Sequence, residues 1–270
     1  MKRKSWINKQ LLLPLLGGIL FMPMASQAAT NFYFSSDSNA IYCSNNSNCD
    51  SWDSKRTYQS GTDTVDVSAV FANAAPDTIQ AGWVTDYSGS GLGVYSDSSG
   101  SPEHAIDNES GEFEMVLLDF GAGNLMTLNQ VQLGWYSGDS DMSIAAYTAN
   151  NGGANTNVNI IGSTWESLVA GTGDWDYVHT AVNPGTSVVN FNNDANPDNN
   201  IASRYWLVGM YNTSLDGGSY AGYPDYGKLK MVGGKYGTPP PPPPPGVPVP
   251  APALLMLGGI GFITRKKLFS

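Results

Sequence analysis

The sequence predicts an all-β chain, a single jelly-roll-like β-sandwich over residues 29–236 flanked by two short terminal segments of different character. Three observations carry this. Gly, Asn, Asp and Ser recur every few residues and would break any amphipathic helix between residues 30 and 236. Short runs rich in β-branched and aromatic residues stand between those turn signals. Only 13% of the residues are charged, against 11% aromatics and 31 glycines, a balance that suits an exported domain with many turns.

The elements follow in chain order. Lys2, Arg3, Lys4 and Lys9 precede an apolar stretch from Leu11 to Met24, and Ala25, Ser26, Ala28 and Ala29 supply small residues after it. This is a secretory signal peptide over residues 1–28, with cleavage after Ala28 by signal peptidase following passage through the Sec translocon. Pro14 and Pro23 bracket the apolar run, which is shorter than the ~20 residues a spanning helix needs.

Strands are expected at Asn31 to Ser35, Thr64 to Phe71, Glu112 to Asp119, Gln130 to Tyr136 and Ser143 to Thr148. Further strands are expected at Asp176 to Thr180, Ser187 to Phe191, Tyr205 to Tyr211 and Lys228 to Val232. Val131, Leu133 and Trp135 alternate with Gln132 and Gly134, which puts the apolar side chains on one face. Met115 to Leu118 and Trp206 to Val208 are unbroken apolar runs, as in strands covered on both faces.

Beyond residue 236 the character changes. Residues 237–252 form a Pro-rich linker: Pro239 to Pro245 is an unbroken proline run, followed by Val247, Pro248, Val249, Pro250, Ala251 and Pro252. Proline fixes φ and lacks an amide proton, so this stretch is a stiff polyproline II spacer of about 3.1 Å per residue. Residues 253–270 follow as a transmembrane helix with a basic tail, the apolar run Ala253 to Ile263 ending at Arg265, Lys266 and Lys267. Eleven helical residues give only about 16 Å, so the span is a weak one. Basic residues after such a run stop transfer and hold the C-terminus in the cytoplasm.

The charges are segregated. Between the two ends only Lys55, Arg56, Arg204, Lys228, Lys230 and Lys235 are basic, while all 23 acids lie between Asp37 and Asp225. Nucleic acid is excluded as a partner, because a phosphate-binding surface needs a basic stripe.

The tail, with Val247, Pro248, Val249, Pro250, Ala251 and Pro252, the helix Leu254 to Ile263 and then Arg265, Lys266 and Lys267, resembles the PEP-CTERM sorting signal of Gram-negative bacteria. A second block is similar to one common in exosortase-dependent surface proteins. It comprises Gly91-Leu92-Gly93-Val94, Glu103-His104-Ala105-Ile106-Asp107-Asn108, Gly111 to Phe120, Leu133-Gly134-Trp135 and Asp139-Ser140-Asp141-Met142.

The resemblance implies export across the inner membrane and transient anchoring there by the sorting helix. An exosortase-type transpeptidase then cleaves near the Pro motif and passes the protein to the cell surface or matrix. It also implies a link to exopolysaccharide and biofilm. The chain departs from the family at one place: Pro250-Ala251-Pro252 or Pro248-Val249-Pro250 stands where the usual Pro-Glu-Pro carries a glutamate.

Candidate site residues are of four kinds. Cys43 and Cys49 enclose a short polar loop, and an exported chain meets oxidising conditions, so a disulfide between them is expected. Asp107, Asn108, Asp139 and Asp141 are hard oxygen donors of the type that bind Ca²⁺ through six to eight ligands, although Asp and Asn also cap turns through their own backbone.

Trp83, Trp165 and Trp175, beside Gly, Thr and Asp, are candidates for exposed stacking on sugar rings, whereas Trp135 and Trp206 sit in apolar strands and are expected in the core. His104 beside Glu103 or Asp107, and His179 beside Asp174 or Asp176, are the possible general bases, but no G-x-S-x-G elbow accompanies them. No cofactor other than calcium is implied. The leading expectation is a non-enzymatic surface protein; a carbohydrate-binding module and a secreted hydrolase are the alternatives.

Overall fold

The computed structural model describes residues 28–34, 40–43, 53–73, 77–96, 104–171, 173–191, 201–218 and 224–237; of residues 40–43 it describes the backbone alone. The signal peptide, the Cys43–Cys49 disulfide, the Pro-rich linker and the sorting helix with its basic end lie outside this description.

Among the described residues fifteen strands are formed. They are β1 (Thr30–Tyr33), β2 (Ala40–Cys43), β3 (Arg56–Ser60), β4 (Asp63–Ala72), β5 (Gln80–Ala81), β6 (Trp83–Tyr87), β7 (Gly91–Tyr95) and β8 (Ile106–Asp107). After these come β9 (Phe113–Asp119), β10 (Met126–Gly138), β11 (Met142–Tyr147), β12 (Trp175–Ala181), β13 (Val189–Asn190), β14 (Tyr205–Met210) and β15 (Asp225–Tyr236). Among the described residues a 3-10 turn at Glu109–Gly111 and three short α-helical turns, α1 (Ala149–Gly152), α2 (Trp165–Val169) and α3 (Thr213–Asp216), interrupt them. Among the described residues no helix is long and apolar enough to cross a membrane.

The strands make two antiparallel sheets. One runs β13-β10-β15-β7-β6, with β1 and β8 also pairing β15; the other runs β12-β11-β14-β9-β4-β3-β2, with β5 on β4. The all-β sandwich expected from the turn spacing is the architecture observed.

The main core lies between the sheets, where Phe32, Val67, Leu118, Leu133, Trp206 and Val232 are fully or almost fully buried. A second cluster, with Met115, Tyr147, Trp165, Trp175, Tyr205 and Leu207, forms where α2, α3 and the segment after β11 cover the eight-stranded sheet. All six residues of β14 are buried, its side chains alternating between the two clusters. This is the outcome predicted by its unbroken apolar run.

Strand β6 is rich in aromatic and β-branched residues, whereas β7 carries no strong sequence signal because Gly91 and Gly93 take alternate places in it. The glycines are there for close approach. A Cβ on Gly93 would collide with the carbonyl oxygen of His104, and one on Gly91, at φ +106°, with that of Leu229. The loop carrying His104 and strand β15 can therefore lie directly against β7.

Candidate functional site

Asp225 opens β15 beside the end of β10, where a parallel bridge joins it to Asp139. Gly138 makes this turn at φ +74°, where a Cβ would sit 2.7 Å from the Pro224 carbonyl oxygen. The result gathers Asp139, Asp141 and Asp225, each offering an oxygen within 4.8 Å of the others. Asp225 is only 2% exposed.

Amide donors hold it. The Asn108 side-chain amide donates to Asp225 Oδ2 at 2.5 Å and to the Tyr211 carbonyl at 2.9 Å. Asp225 N–H donates to Asn108 Oδ1 at 2.8 Å, and Asp141 N–H donates to Asp225 Oδ1 at 3.0 Å. Around them Asn183 N–H donates to Asp141 at 2.6 Å, and Ser140 N–H to Asp139 at 2.8 Å.

Burial pushes the Asp225 carboxyl up to about 7, the amides from Asn108 and Asp141 pull it down, and the Asp141 and Asp139 charges push it up again. Asp141 is also raised, first by burial. Three clustered carboxylates form a hard-oxygen set of the type that suits calcium.

Two expected ligands need correction. Asn108 does not offer its oxygen outward, because that atom accepts from Asp225 N–H and its amide already donates twice. Asp107 belongs to another group: its Oδ1 accepts Glu109 N–H at 3.1 Å, the turn-capping geometry, and its own N–H donates to Glu114 Oε2 at 3.1 Å. Burial raises Asp107 to about 7 and raises Glu114 well above the ordinary carboxylate range.

Asp225, 84 residues beyond Asp141, was not singled out by sequence. A lone Asp opening a strand carries no local signal that it will close a cluster.

The tryptophans divide differently from expectation. Trp165 and Trp175 are not exposed: they are 0% and 2% accessible, because α2 and β12 turn them into the second core cluster. Trp83 is half-buried and packs tilted on Tyr95 at 5.7 Å.

Trp206 is core, but Trp135 is not. The register shift between Leu133 and Trp135 pairs Trp135 with Lys228, where unbroken pairing would set it opposite Gly227, so the half-buried ring leaves the face on which Leu133 is buried. There the Lys228 ammonium lies 5.3 Å from the Trp135 ring centroid and 3.2 Å from that of Tyr87. His179 stacks on Phe191 at 5.4 Å, and burial lowers its pKa.

One cleft, of about 480 Å³, opens beside the second core cluster. Tyr147, Ile160, Leu168 and Trp175 close its floor, and exposed Asn150, Asn157, Asn159 and Asp174 stand at its rim.

Compared with protein-family models, curated proteins and solved structures, the chain finds no match in any of the three.

Proposed function

We propose that this protein is a non-enzymatic surface or extracellular-matrix protein, exported across the inner membrane of a Gram-negative bacterium and processed at its C-terminus by an exosortase-type transpeptidase. A single observation supports the reading above others. The last strand of the sandwich ends at Tyr236, and the chain then continues through a proline spacer into an apolar run too short to be a durable anchor, closed by Arg265, Lys266 and Lys267. The spacer sets the folded domain off from the bilayer, and the weak span holds it there long enough to be cut. Membrane residence is transient, and the released domain joins an exopolysaccharide matrix.

The intact mass of the cell-associated protein tests this. With the transpeptidase present, removal of the last ~20 residues lowers the mass by about 2 kDa relative to a strain lacking it. A full-length species ending at Ser270 in both strains overturns the reading.

A further inference from the structure

We propose that the cleft beneath the segment 149–168 is a binding site for a neutral glycan. It is formed by Tyr147 at the end of β11, Trp175 at the start of β12 and the loop that leads into α2. Its volume of about 480 Å³ falls within the ~300–1,000 Å³ usual for small-ligand sites.

The lining selects the ligand class. Among the described residues that line it none is Lys, Arg or His, and Asp174 supplies a negative charge. Phosphate, sulfate and uronate ligands therefore find no counter-charge among the described lining residues. Asn150, Asn157 and Asn159 line the cleft; Asn150 Nδ2 donates to the Tyr147 hydroxyl at 3.2 Å and Asn159 Oδ1 accepts from Ile161 N–H at 3.1 Å, so the donors and acceptors left for a ligand come from Asn157, Asn150 Oδ1 and Asn159 Nδ2. Vicinal hydroxyls, which also both donate and accept, are the complement to that set. Tyr147 and Trp175 meet edge to face at 5.6 Å and, at 3% and 2% exposure, close the floor as packed aromatics and not as a stacking platform, so recognition rests on the polar rim.

The cleft is also pre-formed. Thr148 N–H donates to the Asp174 carbonyl at 2.8 Å, Ile79 N–H to the Ser163 carbonyl at 2.8 Å, and Tyr205 Oη to the Thr156 carbonyl at 3.0 Å. The Thr164 and Ser167 capping box fixes the start of α2. A loop tied at both ends and in its middle loses little freedom when a ligand arrives.

This inference rests on the surface-protein reading only in that export brings the cleft to glycans. Tail processing is read by mass and binding by gel mobility, so either can fail alone.

The test is native affinity electrophoresis of the purified protein in gels containing barley β-glucan, galactomannan, arabinoxylan or dextran, with alginate as the acidic polymer. Retardation is expected in at least one neutral gel and not in alginate. Combined Asn157→Ala and Asp174→Ala, both at exposed positions that leave the melting temperature unchanged, should weaken that binding about tenfold or more. Asn157→Trp, which fills the cleft, should abolish it, and Trp83→Ala should leave it intact. No retardation in any neutral gel, equal retardation by alginate, wild-type binding by the cleft variants, or loss on Trp83→Ala alone would each overturn the proposal.

Discussion

Asp53 and Asp86 are buried around a cation, whereas Asp225 is buried among amides and other acids. In the first group Arg56, 1% exposed, donates to Asp53 at 3.2 Å and lies 3.8 Å from Asp86, which also accepts the Tyr58 hydroxyl at 3.1 Å. Burial, and then the Asp86 charge, hold the Tyr58 hydroxyl well above its ordinary range. Asp119 is an intermediate case, gripped by two nitrogens of Arg204 at 2.6 and 2.8 Å.

In the second group Asp225 has Asn108, the Asp141 amide and two carboxylates as neighbours, and among the described residues no basic group acts on it. The difference follows from supply. With so few basic residues between its ends and 23 acids there, the chain cannot give each buried carboxyl a cation. The remainder are settled by amide donors, by a proton, or by a cation from solution.

The largest effect expected from this contrast is at the cationic node. Arg56→Met leaves two carboxylates buried without their counter-charge and should cost about 3–5 kcal/mol in chemical denaturation. A loss under about 1 kcal/mol would show that the two groups do not differ in the way described.

The next effect is in pH. Asp107 and Asp225 sit at about 7 in the fold against an ordinary 3.8, so the folded chain keeps protons that the unfolded chain has released. Their contribution is complete below about pH 4 and is lost as pH rises to about 7. Thermal stability should therefore be lower at pH 8 than at pH 5, and Asp107→Asn should flatten part of that slope. A melting temperature that rises over this interval breaks the comparison.

The smallest effect sharpens it. At pH 8, millimolar calcium should raise the melting temperature by about 2–5 °C, less at pH 5 where protons compete, and not at all in Asp225→Asn. No shift at pH 8 would leave the proton and the amides as the only means of holding Asp225.

Much of the fold was legible because strand periodicity is local. The alternation at Val131 and Leu133 and the unbroken runs in β9 and β14 reflect how a pleated backbone presents its side chains, and each falls within an observed strand. Strand β6, with Trp83, Val84 and Thr85, carried a local signal that went unused; β3 and β7 were missed because Arg56, Gly91 and Gly93 do not look like strand residues. They serve a buried ion pair and close backbone approaches that exist only once β15 and the His104 loop are in place. Two of the three members of the candidate cation set were legible, Asp139 and Asp141 but not Asp225.

The sequence alone determined the alternation of strands and turns and the acidic excess of the middle region, because composition and period-two patterning act between near neighbours. Tertiary structure decided which acids meet, that Trp165 and Trp175 turn inward, and that Trp135 turns outward beside Lys228. Those outcomes depend on register shifts and on contacts between residues far apart in the chain. The energy of such contacts belongs to the folded arrangement and not to any short stretch of residues.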